Sequence, residues 1–215
     1  MSAPRLIVGL GNPTDKHVTD RHNAGFWFID ELARQFGGQL RHDPKFQGDV
    51  GEARIGSQLV RLLKPSTWMN RSGQAVGGIA RFYRLEPTDI LVVYDELDLL
   101  PGSVRLKLGG SSTHNGLRDI TAHLGGPRYW RLRIGIGHPR TLNLEKTVVD
   151  FVLSRPSQPD RQAIEEAIER SLRVLPELID TGNWEITTQK LHSLDPHMQA
   201  KAASKAAATK PSDYH

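Results

Sequence analysis

Residues 5–36 read RLIVGLGNPTDKHVTDRHNAGFWFIDELARQF, and they decide the fold class. Leu6 to Leu10 is a short apolar run that breaks at Gly11-Asn12-Pro13, as a strand leaving into a turn does. From Ala24 to Phe36 the apolar residues recur at helical spacing. Strand, loop and helix in that order open an α/β alternation, and the rest of the chain continues it. Residues 46–63 alternate with period two and break at Gly56-Ser57, which predicts a hairpin. Residues 69–83 read as a helix, and Ile90 to Tyr94 as a buried strand stopping at Asp95. Strands are expected at 103–108 and from Leu132 to Ile136, with a helix over 115–124 between them. The helix over 161–175 places Ile164, Ile168, Leu172 and Leu175 on one face.

This order predicts a single α/β domain over 1–196, a sandwich with a largely parallel sheet flanked by helices. The hairpin makes the sheet mixed. Residues 197–215 are expected as a flexible basic tail, because the Ala/Lys-rich stretch from 201 onward has no apolar face.

A length of 215 residues suits one large domain with a sizeable core. The absence of cysteine excludes a disulfide framework, a thiolate-bound zinc and a cysteine nucleophile. No stretch approaches the ~20 apolar residues of a membrane span, and the apolar run near the N-terminus is too short for a secretory signal. A cytoplasmic location is expected. The net charge of +4 permits an anionic partner such as nucleic acid without demanding one.

Polar residues collect at the expected strand ends. Asn12 follows the first strand, His22 and Asn23 precede the first long helix, and Asn70 opens the next. Asp95 ends the strand LVVY, and His114 and Asn115 follow a Gly/Ser turn. Sites in open α/β sheets form beyond the carboxyl ends of strands, so several of these groups can converge. A histidine with one aspartate partner supplies a general base and its orienter. Three asparagines supply neutral donors and acceptors for a carbonyl, a peptide backbone or a water. There is no G-x-S-x-G elbow, so water is the simpler nucleophile.

Other readings are weaker. GLGNPT starts like a dinucleotide fingerprint, but Thr14 stands where the third glycine belongs. His22, His114 and His138 lack metal-ligand spacing, and no H-E-x-x-H is present. Taken singly, Asn12 is also turn chemistry, and Asn70 and Asn115 are also helix caps. Composition and periodicity alone leave the function open.

Eight segments taken together resemble the bacterial-type peptidyl-tRNA hydrolase family. They are IVGLGNP (7–13), RHNAG (21–25), KPSTWMNRSG (64–73), DELDLLPG (95–102), KLGG (107–110), HNGLRDI (114–120), RLRIGIGHP (131–139) and DFVLS (150–154). The resemblance implies a single domain with a central twisted mixed sheet, no cofactor, no metal and a monomer. It implies hydrolysis of the ester joining a peptide to tRNA, with recognition of the acceptor stem and 3′ end. It makes His22 the base, Asp95 its orienter, and Asn12, Asn70 and Asn115 the groups that hold the peptidyl end, the water or the oxyanion. Met69 would line the same cleft, and His17 and Asn23 are carried as substrate-binding positions. Lys107 and Arg133 match the basic positions that grip the tRNA 5′ phosphate. The chain departs from the family pattern at Thr14, at His17 where tyrosine is usual, and in the loop GGSSTHNG (109–116), which is one residue shorter and poorer in glycine.

Overall fold

A computed structural model describes residues 1–208. Among the described residues, seven strands form one sheet in the order β2-β3-β4-β1-β5-β7-β6. They are β1 (Leu6–Gly9), β2 (Arg41–Asp43), β3 (Gly48–Ile55), β4 (Gln58–Pro65), β5 (Ile90–Glu96), β6 (Val104–Leu108) and β7 (Trp130–Gly135). The central run β4-β1-β5-β7 is parallel, and both flanks are antiparallel. The expected hairpin is β3–β4, turning at Gly56 and Ser57.

The helices are α1 (Ala24–Phe36), α2 (Ser72–Phe82), α3 (Asn115–Leu124), α4 (Val148–Val152), α5 (Gln158–Thr181), α6 (Trp184–Ser193) and α7 (Pro196–Ala208). They cover both faces of the sheet, and the alternation of strand side chains divides the core accordingly. Ile7, Leu91 and Val93 face the layer of α1, α5 and α6. Leu6, Val8, Val92 and Tyr94 face α2 and α3. The central strands are buried on both sides, which is why they read as unbroken apolar runs rather than as alternation.

Several elements differ from expectation for identifiable reasons. The helix expected over 69–83 opens as a 3-10 turn at Met69–Arg71 before α2 begins. Its start is tied down, because the Met69 backbone N–H donates to Asn12 Oδ1 at 2.9 Å. The helix expected over 161–175 is α5, which runs on through Pro176 to Thr181. Leu178 and Ile179 keep the buried stripe going there, and Gly182 at φ 64° ends it. Residues 197–208, where a flexible tail was expected, lie in α7. The rest of that expected tail, 209–215, lies outside the described residues.

The close crossing of α1 over β1 positions the site. A Cβ on Gly25 would lie 2.4 Å from both the Leu10 nitrogen and the Val93 carbonyl oxygen. Only glycine lets the start of α1 sit on the ends of β1 and β5. The residues just before α1 are thereby held beside Asp95.

Candidate active site

His22 lies in a 3-10 turn, Arg21–Asn23, that leads into α1. Arg21 locks this turn. Its buried guanidinium donates to the carbonyls of Phe151 and Arg155, and stacks 4.0 Å from the Phe151 ring centroid. The loop following α4 thus serves as a brace for the residue next to His22.

His22 Nδ1 meets Asp95 Oδ2 at 2.8 Å. The other carboxylate oxygen, Oδ1, meets His114 Nε2, also at 2.8 Å. The sequence suggests one aspartate with one histidine; in the structure one aspartate serves two. His114 is also the N-cap of α3, and its Nδ1 accepts the Gly116 backbone N–H at 3.2 Å. That bond fixes its tautomer. With Nδ1 used as an acceptor, the ring proton sits on Nε2 and is donated to Asp95. Asp95 therefore receives two N–H donors on a fully buried carboxylate.

The titration directions follow. Burial alone would raise the Asp95 pKa, but the charge of His22 and the hydrogen bonds from His22 and His114 hold it well below the usual carboxylate range. Burial alone would lower that of His22. The Asp95 charge, its hydrogen bond and the charge of Asp20 outweigh it, so the net shift is upward. His22 Nε2 has no protein partner among the described residues and is the nitrogen left to act on a ligand.

The asparagines play unequal parts. Asn12 is buried, with Oδ1 occupied by Met69 N–H and Nδ2 without a protein partner among the described residues. Asn23, expected to bind substrate, spends its side chain on Asn12. Its Oδ1 accepts the Asn12 N–H at 2.8 Å, and its Nδ2 donates to the Asn12 carbonyl at 3.0 Å. The structure makes Asn23 a clamp on Asn12. Asn70 and Asn115 are exposed, and neither side chain bonds protein among the described residues. Met69 is buried and its sulfur approaches Gly116, which joins the Asn12–Met69–Asn70 corner to the start of α3. His22, Asp95, His114, Asn12, Met69, Asn70 and Asn115 thus form one connected patch at the carboxyl end of the parallel strands.

His17 hydrogen-bonds Asp20 at 2.7 Å and stands edge-on to the Trp68 ring, 6.1 Å between centroids. Trp68 is half exposed and was not picked out in the sequence. Lys107 and Arg133 line one concavity of about 530 Å³, together with Tyr94, Glu96, Arg118 and Arg131. Arg133 is not a free cation: its Nε donates to Glu96 Oε1 at 2.8 Å.

The donor atoms of His22, Asp95 and His114 lie within 4.8 Å of one another, close enough to raise the question of a cation. A metal on His114 Nε2 would put the ring proton on Nδ1, facing the Gly116 N–H donor. Metal-bound histidines need the opposite, an acceptor for that second N–H. The donor set fits a hydrogen-bonded relay better. His138, the third histidine of that reading, accepts from the Arg140 N–H and lines a separate concavity.

Comparison with known proteins places the fold and the sequence in one family. The family model described as Peptidyl-tRNA hydrolase matches residues 6–201. The peptidyl-tRNA hydrolase of Bordetella petrii is 53% identical over 193 residues, covering 89% of this chain and 91% of that protein. That of Polynucleobacter asymbioticus is 51% identical, covering 88% and 98%. A solved structure of the Acinetobacter baumannii peptidyl-tRNA hydrolase superposes with a TM-score of 0.85 at 44% identity, covering 91% of this chain and 98% of that one. With fold and sequence agreeing over most of its length, this chain belongs to the peptidyl-tRNA hydrolase family.

Proposed function

We propose that the chain hydrolyses the ester between the peptide and the tRNA in peptidyl-tRNA, with water as nucleophile and His22 as general base. The observation that carries the mechanism is the His22–Asp95 hydrogen bond at 2.8 Å with His22 Nε2 left open. Nε2 takes a proton from water as the oxygen attacks the ester carbonyl carbon. The tetrahedral intermediate collapses by breaking the bond to the ribose oxygen, and the imidazolium returns the proton to that oxygen. The products are a peptide acid and a tRNA with a free terminal hydroxyl.

Asp95 stabilises the imidazolium and fixes the tautomer that leaves Nε2 as an acceptor. His114 holds Asp95 from its other side. Asn12, Asn70 and Asn115 offer neutral amide groups to the peptidyl carbonyls and the developing oxyanion. Met69 and Trp68 give apolar surface beside them, with His17 at the same rim. Lys107 and Arg133 hold the 5′ phosphate of the acceptor stem, so the substrate is gripped at both of the strand termini that meet at one end of the stem.

The alternatives are an RNA-binding relative without catalysis and a small-molecule esterase. The open Nε2 on a carboxylate-backed histidine speaks against the first, and the concavity with Lys107 and Arg133 speaks against the second. No described helix is long and apolar enough to cross a membrane. The test is peptide release from peptidyl-tRNA and from an N-blocked aminoacyl-tRNA, against free aminoacyl-tRNA, for wild type and His22→Ala. Release from the first two that depends on His22 supports the proposal. Release by His22→Ala at the wild-type rate refutes it.

A further inference from the structure

We propose that α7 is a basic arm that contacts the phosphate backbone of the substrate RNA, beyond the site that holds its 5′ end. The inference rests on the peptidyl-tRNA reading above for the identity of the RNA.

The helix has a firmly built root and an exposed shaft. At the root, Asp195 is buried and hydrogen-bonds the N–H groups of His197 at 2.9 Å and Met198 at 3.3 Å. Its other carboxylate oxygen pairs with Arg105. The His197 ring, through Nε2, hydrogen-bonds the Pro101 carbonyl at 3.0 Å. The shaft from Pro196 to Ala208 buries no residue and contains no acidic side chain. Lys201 and Lys205 are one turn apart on the same side. A helix with no core-facing stripe gains little from packing, and one this short is marginal by itself. An anchor of this kind on a shaft that buries nothing suits an element that meets a partner.

The position of the root identifies the partner. In the β6–β7 ladder, Arg105 lies opposite Arg133, and Lys107 opposite Arg131. Directly opposed residues project from the same face, so four cations share this face of the sheet edge. Asp195 seizes Arg105, the outermost corner of that set, and so roots α7 at the rim of the surface where Lys107 and Arg133 await a phosphate. An RNA held there carries its backbone past this rim. The helix also continues beyond residue 201, where the family match ends.

The experiment compares wild type with the double variants Lys201→Ala/Lys205→Ala and Lys201→Arg/Lys205→Arg. The kcat/KM is measured over a salt series on full-length peptidyl-tRNA, and on a short N-blocked aminoacyl-nucleotide that ends before the arm. Two lost phosphate contacts should flatten the salt slope by almost two. The advantage of wild type over the alanine variant should then shrink about tenfold between 50 and 200 mM salt. The arginine variant should keep the wild-type slope, and the short substrate should be turned over equally by all three. An unchanged slope on full-length substrate, or an equal loss on both substrates, overturns the arm. A wild type without any activity on peptidyl-tRNA would instead overturn the functional reading.

Discussion

Asp95→Asn puts the two-histidine arrangement to a direct test. An amide has one oxygen and one NH₂ where the carboxylate has two acceptors. His114 can only donate from Nε2, because its Nδ1 is committed to the Gly116 N–H. The oxygen of the introduced amide must therefore turn toward His114, and the NH₂ then faces His22 Nδ1. That forces the His22 proton onto Nε2, the nitrogen that has to accept from water. The opposite orientation would set two donors against each other at His114, in a buried place, at a cost of about 1–3 kcal/mol. This corresponds to a roughly 5- to 150-fold preference for the unproductive orientation. With the charge also lost, turnover should fall about 10⁴-fold, as when the aspartate of a serine-protease triad becomes asparagine.

Removing His114 as well should relieve the conflict. With no donor to satisfy on that side, the amide can turn its oxygen to His22 and restore the productive tautomer. The double variant Asp95→Asn/His114→Ala should therefore be faster than Asp95→Asn alone, by about 5-fold or more. The assay is single-turnover release of N-blocked amino acid from tRNA, with thermal melts showing that each variant is folded. A folded double variant no faster than the single one would refute the tautomer argument.

His22→Ala should lose ~10²–10⁴-fold in turnover without losing its fold; near-normal turnover by the folded variant would remove His22 as base. The base must be unprotonated, and its folded pKa is raised, so kcat/KM should climb with pH through a midpoint above the ordinary histidine value; a midpoint below it would contradict the electrostatic balance at Asp95. Lys107→Ala and Arg133→Ala should each weaken binding of full-length tRNA and lower its salt slope by about one, with little effect on a substrate lacking the 5′ phosphate. Arg133→Ala should be the worse, because it leaves Glu96 unpaired beside the phosphate; equal losses on both substrates would rule out the clamp. In the shortened loop, Ser112 Oγ accepts the His114 N–H at 3.0 Å, a bond a glycine could not make. Ser112→Gly should loosen the loop in NMR relaxation and change turnover more than melting temperature; identical relaxation and kinetics would show that Ser112 does not stiffen the gate.

The fold was legible where local chemistry and tertiary demand agree. The spacing from Ala24 to Phe36 marks α1 with both its ends, since Gly37 supplies the left-handed cap at φ 73°. The hairpin is legible because Gly56 provides its turn. Strand order is not, because parallel neighbours such as β1 and β5 are set by crossovers far apart in sequence. The stop expected before Pro176 failed because Leu178 and Ile179, buried below the proline, continue the stripe beyond the point where local propensity would end the helix. The helix of 196–208 was unreadable for the reverse reason: its stability begins at Asp195, whose partner Arg105 is 90 residues away.

At the candidate site, the sequence picks out residues that the fold brings together, but not how they divide their polar contacts. Asn23 and Asn12 are both asparagines at loop ends, yet one clamps the other's backbone and only Asn12 keeps a free amide. His114 was open to recognition as a helix cap, since it directly precedes the helix-opening Asn115. What no one-dimensional reading supplies is that capping α3 consumes Nδ1 and so dictates what Nε2 does to Asp95. Fixing a histidine tautomer through a helix cap couples the start of α3, by way of Asp95, to the proposed base His22. Since α3 follows the Ser111–Thr113 loop, a change in that loop can reach His22 through hydrogen bonds alone, without touching the substrate.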